Sequence, residues 1–133
     1  MSDLLRLLAR TVDTDESRET RAQKASEIVS EARGYRWVGI YDVGDEEITL
    51  IGATQPVLPA RLRFDLDEGL SGKAVRARES VVGESEVIVP ILGAESGIVI
   101  GTLDAQSDRG DASSDENVAF LEECASVLRP LFD

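Results

Sequence analysis

The chain has 133 residues, 42% of them hydrophobic, with 26 acidic against 14 basic side chains and a net charge of -12. That length and apolar content fit one domain with a real core. The acid excess argues against nucleic acid, whose binding needs a basic face.

Asp3–Arg10 is a short amphipathic helix. Thr14-Asp15-Glu16-Ser17 offers caps for a longer helix over Ser17–Arg33, with Ala22, Ala25, Ile28, Val29 and Ala32 as its inner stripe and Gly34 as its stop. Tyr35–Val43 and Glu47–Ala53 read as an antiparallel pair joined by a Gly44-Asp45 turn. Pro56 and Pro59 break the pattern, and Arg61–Phe64 follows as a short strand. Asp67, Glu68 and Gly69 open a helix over Leu70–Arg78, and a very short strand covers Ser80–Val82. Val87–Leu92 and Ile98–Leu103 flank Gly-Ala-Glu-Ser-Gly and read as a hairpin. Their almost wholly apolar character places them near the centre of a sheet, covered on both faces. A charged turn at Asp108–Asp111 leads to the Ser113–Glu116 cap of a last helix, which runs to about Arg129 and ends at Pro130.

Hairpins make the pairing antiparallel. The expected architecture is α+β, a three-layer sandwich with about five or six strands. The terminal helices share one face of the sheet and the short central helix covers the other.

Several chemistries are excluded or disfavoured. There is no histidine, which removes the commonest metal ligand and the usual general base. Ser-His-Asp and Cys-His nucleophile systems, His-held haem and Cys/His zinc go with it. An all-carboxylate site for Mg²⁺ or Ca²⁺ stays open, yet no loop has the Asp spacing of an EF-hand, and neither a metal nor a cofactor is expected. With one cysteine, Cys124, no internal disulfide can form. It lies at apolar helical spacing beside Phe120, Leu121 and Leu128 and reads as a small buried hydrophobe. No apolar run approaches the ~18 residues that span a membrane. The start, MSDLLRLLAR, lacks a basic n-region, so an intracellular location, in the cytoplasm, is expected. Twelve arginines against two lysines, with acids spread along the chain, fit a surface suited to high salt.

The motifs Trp37-Val-Gly-Ile-Tyr41, Glu68-Gly-Leu-Ser-Gly-Lys-Ala74, Ser85-Glu-Val-Ile-Val-Pro90 and Gly101-Thr-Leu-Asp-Ala-Gln-Ser107 stand in this order. Together they resemble a GAF domain, and within that class the stand-alone proteins related to free methionine-(R)-sulfoxide reductase. The resemblance runs from about Ser17 to Leu128 and implies a single GAF domain over 1–133. Residues 1–33 would be its N-terminal helices, 35–107 its sheet and pocket, and 113–131 its C-terminal helix.

The reductase-like proteins work through cysteines that this chain lacks. The turn before the central helix holds Ser71, and the upstream position falls near Arg61. The long loop before the second hairpin shrinks to Gly83-Glu84-Ser85. Serine cannot form the sulfenic acid and disulfide of sulfoxide reduction, so a non-catalytic protein is expected. The patterns of GAF domains that bind cyclic nucleotides or bilins are absent too.

By the same resemblance, Trp37 and Tyr41 would line a ligand pocket, Glu86 would bind a ligand amino group, and Asp104, Gln106 and Ser71 would stand beside it. A second reading stays open, in which Trp37 and Tyr41 are core aromatics and Asp104 caps a turn. The Gly69–Gly72 turn could hold an anion on its amides, but Asp65, Asp67 and Glu68 precede it, and it reads better as a tight turn into a helix.

Leu4, Leu5, Leu7 and Leu8 make the first segment apolar all round. The last helix carries two stripes, one of Val118, Leu121, Ala125 and Leu128 and one of Phe120, Cys124, Val127 and Leu131. The surplus points to a homodimer through the terminal helices, or else these helices merely cover each other and the sheet. The expected role is a GAF sensor or signalling module that binds a small molecule or a signalling protein. The alternatives are a diverged reductase relative with a residual pocket, and a structural dimer whose pocket is filled.

Overall fold

A computed structural model of the chain describes residues 2–108 and 114–133. Positions 109–111 of the expected charged turn, and Ser113 of the expected cap, lie outside the described residues.

Among the described residues four α-helices and six strands form in the order α1 (Asp3–Val12), α2 (Arg18–Arg33), β1 (Trp37–Val43), β2 (Glu47–Ala53), β3 (Arg63–Asp65), α3 (Gly69–Ala77), β4 (Val81–Val82), β5 (Glu86–Leu92), β6 (Val99–Gln106) and α4 (Asp115–Ser126). All strand pairs are antiparallel, and the sheet order is β3-β2-β1-β6-β5-β4. The long hairpin β5–β6 does lie centrally, with β6 held between β1 and β5. Helices α1, α2 and α4 pack with Val38, Ile40, Val87, Val89, Leu103 and Ala105 on one face. On the other, α3 packs against β5 through Ala74 and Ile88, beside a cluster around Trp37, Tyr41 and Ile48. The expected three-layer α+β arrangement is present.

Side-chain caps mark where α1, α2 and α4 begin. The Leu5 N–H donates to Ser2 Oγ at 3.2 Å, Thr20 N–H to Ser17 Oγ at 3.1 Å, and Asn117 N–H to Ser114 Oγ at 3.2 Å. Helix α2 stops at Gly34, which is left-handed at φ 66°. Tyr35 is tied back to that helix end, its N–H donating to Ser30 O at 3.0 Å while Ser30 Oγ donates to Tyr35 O at 3.0 Å. The first strand therefore starts at Trp37, two residues later than the sequence pattern implies.

The inner stripe of α2 is Ala22, Ala25, Ser26 and Val29, the i, i+3, i+4, i+7 set. Ile28 is half-buried and Ala32 exposed, because both positions fall to one side of that stripe at 3.6 residues per turn. Ser26 enters the core because its Oγ donates to Ala22 O at 2.8 Å.

Three further expectations shift. Pro59–Arg61 coil into a 3-10 turn, with the Leu62 N–H on Pro59 O, so the third strand is Arg63–Asp65 rather than Arg61–Phe64. Helix α4 ends at Ser126, not near Arg129. Pro130 has no N–H to give the Ser126 carbonyl and its ring crowds that turn, so the chain continues as a 3-10 turn over Arg129–Phe132. Both stripes of α4 are also largely covered within the chain. Leu121, Ala125 and Leu128 are buried, and so are Cys124 and Leu131, with Phe120 and Val127 partly covered. On α1, Leu5 and Leu8 are core residues, and Leu7 is the leucine that stays exposed.

Candidate functional site

Strand register builds the site. Trp37, Gln106 and Glu86 form one row across β1, β6 and β5. Gly39, Asp104 and Ile88 form the next, and Tyr41, Thr102 and Pro90 the third. Alternation puts all of these on the face opposite the terminal helices. The indole of Trp37 lies over Gly39, in the space where any side chain at 39 would stand. Ser71, in the first turn of α3, meets the sheet at Asp104, its Oγ 3.5 Å from Oδ2. The six residues singled out from the sequence, Trp37, Tyr41, Ser71, Glu86, Asp104 and Gln106, thus share one side of the sheet.

They are not equally reachable. A cleft of about 430 Å³ opens on this face, lined by Arg36, Trp37, Pro56, Leu58, Arg61 and Gln106. That is within the usual range for small-molecule sites. Trp37 and Gln106 line it. Tyr41, Ser71 and Asp104 are buried and do not. The Tyr41 hydroxyl donates to the Arg61 backbone carbonyl at 2.7 Å. Burial above all holds that phenol far above its ordinary range.

Glu86 is engaged already. Its Oε2 accepts from Arg61 NH1 at 3.1 Å and from Gln106 Nε2 at 3.2 Å. The guanidinium of Arg61 also stands 5.4 Å from the Trp37 ring centroid. Gln106 Oε1 accepts from Arg36 NH2 at 2.9 Å, and Arg36 NH1 donates to Asp108 at 2.7 Å. A network thus runs Asp108–Arg36–Gln106–Glu86–Arg61–Trp37 along the cleft.

Beneath it lies an under-satisfied polar pair. Thr102 Oγ1 and Asp104 Oδ1 are fully buried without hydrogen-bond partners among the described residues, though the Thr102 hydroxyl lies near the carboxyl. Burial pushes the Asp104 carboxyl up to about 8. The nearby Thr102 and Ser71 hydroxyls and the Arg61 charge offset part of this, and the Glu86 charge adds to it. At neutral pH the group is mainly the neutral acid, which cannot serve a cation as a carboxylate would.

Pro56, Leu58 and Arg36 are not flagged by the sequence reading as site residues, and Arg61 enters it only as the place of an absent cysteine. The contacts that bring them in span 25 residues for Arg61–Glu86 and 70 for Arg36–Gln106, and no periodicity reports on such pairs. The one local clue is Arg36, which directly precedes Trp37.

Two other clefts, of about 310 Å³ each, lie elsewhere. One is between β5 and α4, beside Arg78, Glu122 and Arg129, and the other between α2 and β2. Neither continues into the polar row of the sheet or contains an aromatic wall, so the Trp37 cleft is the better candidate. Among the described residues no group of three or more Cys, Asp or Glu is placed to hold a metal ion. Cys124 is on the far face of the sheet, in the helical core, its thiol pushed up to about 12 by burial, with Glu123 adding. Among the described residues no helix is long and apolar enough to cross a membrane.

No family model matches the sequence, and no curated protein matches it. Solved structures do. The GAF domain of an Acinetobacter phosphoenolpyruvate-protein phosphotransferase is 18% identical with a TM-score of 0.82, the match covering 99% of this chain and 94% of that one. Free methionine-R-sulfoxide reductase from Neisseria meningitidis, in complex with its substrate, is 25% identical with a TM-score of 0.79, covering 98% and 86%. The type II reductase from Thermoplasma acidophilum is 23% identical with a TM-score of 0.73, covering 98% and 95%. With the sheet order and the split of helices between its two faces, these likenesses show that the chain has the GAF fold.

Proposed function

We propose that this chain is a non-catalytic GAF module that binds a small molecule in the Trp37 cleft and passes the event to a signalling partner. The observation that carries the reading is the cleft itself, about 430 Å³ bounded by one aromatic wall, two arginines and an amide. Such a mix of apolar wall and few convergent polar groups is what small-molecule sites use. The absence of catalysis is argued from Cys124, the chain's one thiol. It is buried on the opposite face, and the raised thiol leaves almost no thiolate to attack a sulfoxide.

The test is a thermal-shift screen in high salt against amino acids, methionine sulfoxide, organic acids, nucleotides and cyclic nucleotides. A ligand at about a hundred times its Kd stabilises the folded state by roughly 2.7 kcal/mol, easily read as a rise in melting temperature. Trp37→Leu should abolish that rise, and Leu58→Ser at the exposed rim should reduce it without touching the core. A screen with no hit would overturn the ligand-binding reading.

A second reading draws on the burial of Tyr41, Ser71 and Asp104. On this view the inner part of the pocket is closed by the chain's own side chains, and the module acts through protein contacts alone.

A further inference from the structure

The charge of the cleft identifies what it would accept. Glu86, the carboxylate that would meet a ligand ammonium, already holds the chain's own cation: Arg61 NH1 and Gln106 Nε2 both donate to its Oε2. An incoming cation would have to evict Arg61 or face two guanidinium groups. Of the other acids near it, Asp104 is wholly buried and does not line the cleft, and Asp108 is held by Arg36 NH1.

For an anion, each guanidinium is paired with one carboxylate yet keeps a donor to give. Arg61 uses NH1 for Glu86, while its Nε and its other terminal nitrogen have no hydrogen-bond partner among the described residues. Arg36 gives NH1 to Asp108 and NH2 to Gln106 and keeps its Nε, and its side chain is 51% exposed. The fork of a guanidinium matches a carboxylate in two parallel bonds. The remaining wall is apolar, made of Trp37, Pro56 and Leu58. Leu58 is 61% exposed at the rim, apolar surface that a bound molecule would cover.

We propose that the cleft takes an organic acid, with its carboxylate engaged by Arg61 and Arg36 and an apolar body laid against Trp37, Pro56 and Leu58. This rests on the cleft being a ligand site and names the class of ligand. The arginines that decide it belong to the loop before β3 and the residue before β1.

Trp37 is the chain's single tryptophan, so tryptophan emission reports on this cleft and on the cluster of Tyr41, Ile48 and Ala53 beside it. Four probes of similar size separate the chemistries: phenylacetate, its neutral amide phenylacetamide, phenethylamine and phenyl phosphate. Each is titrated against the full chain in ~1 M KCl, where long-range repulsion is screened. Phenylacetate should give a saturable change in emission and bind at least about tenfold more tightly than the amide or the amine. Arg61→Gln and, separately, the more exposed Arg36→Gln should each weaken it about tenfold. The Tyr41 contact uses the Arg61 backbone carbonyl, so it survives the first substitution.

Phenyl phosphate binding more tightly than phenylacetate would overturn the carboxylate assignment. Phenethylamine binding as tightly as the acid would overturn the ligand class while leaving the cleft a ligand site, provided Leu58→Ser weakens it. Acid binding indifferent to both arginine substitutions would also overturn it. So would no saturable change from phenylacetate up to ~10 mM. In that last case a Trp37-dependent hit among the non-acids of the thermal screen would keep the ligand-binding reading alive.

Discussion

Asp104 is the residue whose burial has the plainest consequence for stability. Its folded pKa is about 8, against roughly 3.9 in an unfolded chain. Between those values the folded protein holds a proton that the unfolded chain has released, so stability falls as pH rises. The contribution is fully present below about pH 4 and is lost as pH passes through about 8. Asp104→Asn, which keeps the shape without the charge, should remove this slope. Melting curves from about pH 5 to about pH 9 should show the variant gaining on the wild type as pH rises. Parallel curves would mean that the carboxyl is ionised throughout. The sequence marks Asp104 as a ligand-side acid, and the register does place it beside Gly39 on that face. Its closure from solvent is not legible in sequence, because it depends on α3 arriving through Ser71, 33 residues away.

Among the elements, α2 on β2 shows how closely a helix can approach a sheet. A Cβ at Gly52 would lie 2.6 Å from both the Ala22 Cβ and the Gln23 backbone nitrogen. Backbone cannot step aside as a flexible side chain would. Gly52→Ala should therefore destabilise the chain by about 1–3 kcal/mol, measured by chemical denaturation. A neutral result would mean that α2 slides freely on the sheet. Most element positions were readable, since Ser17 and Gly34 bracket α2 and alternation marks Trp37, Gly39 and Tyr41 on β1. The misplaced ends have local causes that periodicity does not carry. Tyr35 is bound to the end of α2, Pro59–Arg61 coil, and Pro130 withholds a donor. The cleft was less readable than the sheet beneath it, because Arg61 enters through an irregular segment that only its partners fix in place.

At the scale of the whole molecule, charge dominates. A net charge of -12 on 133 residues is a steady self-repulsion. The exposed ion pairs, such as Lys24–Glu16 at 2.6 Å and Arg6–Asp3 at 3.5 Å, contribute little each in water. Screening rather than pairing is then the lever that relieves the repulsion. The melting temperature should climb strongly between low salt and ~2 M KCl, where the Debye length is below about 3 Å. A flat response would show that the acids are spaced widely enough to ignore one another, and would remove the high-salt reading of the surface.

The alternation of β1 and β6 also fixes how near cause and response lie. Trp37 and Gln106 wall the cleft, while their immediate neighbours Val38 and Ala105 sit in the core beneath the terminal helices. One peptide unit separates a side chain that a ligand could push from one that a helix rests upon. Any tilt imposed on these two middle strands is felt on the reverse side without a hinge, a relay of side chains or a moving domain. In mechanical terms the sheet is a diaphragm, and the helical layer is its far surface.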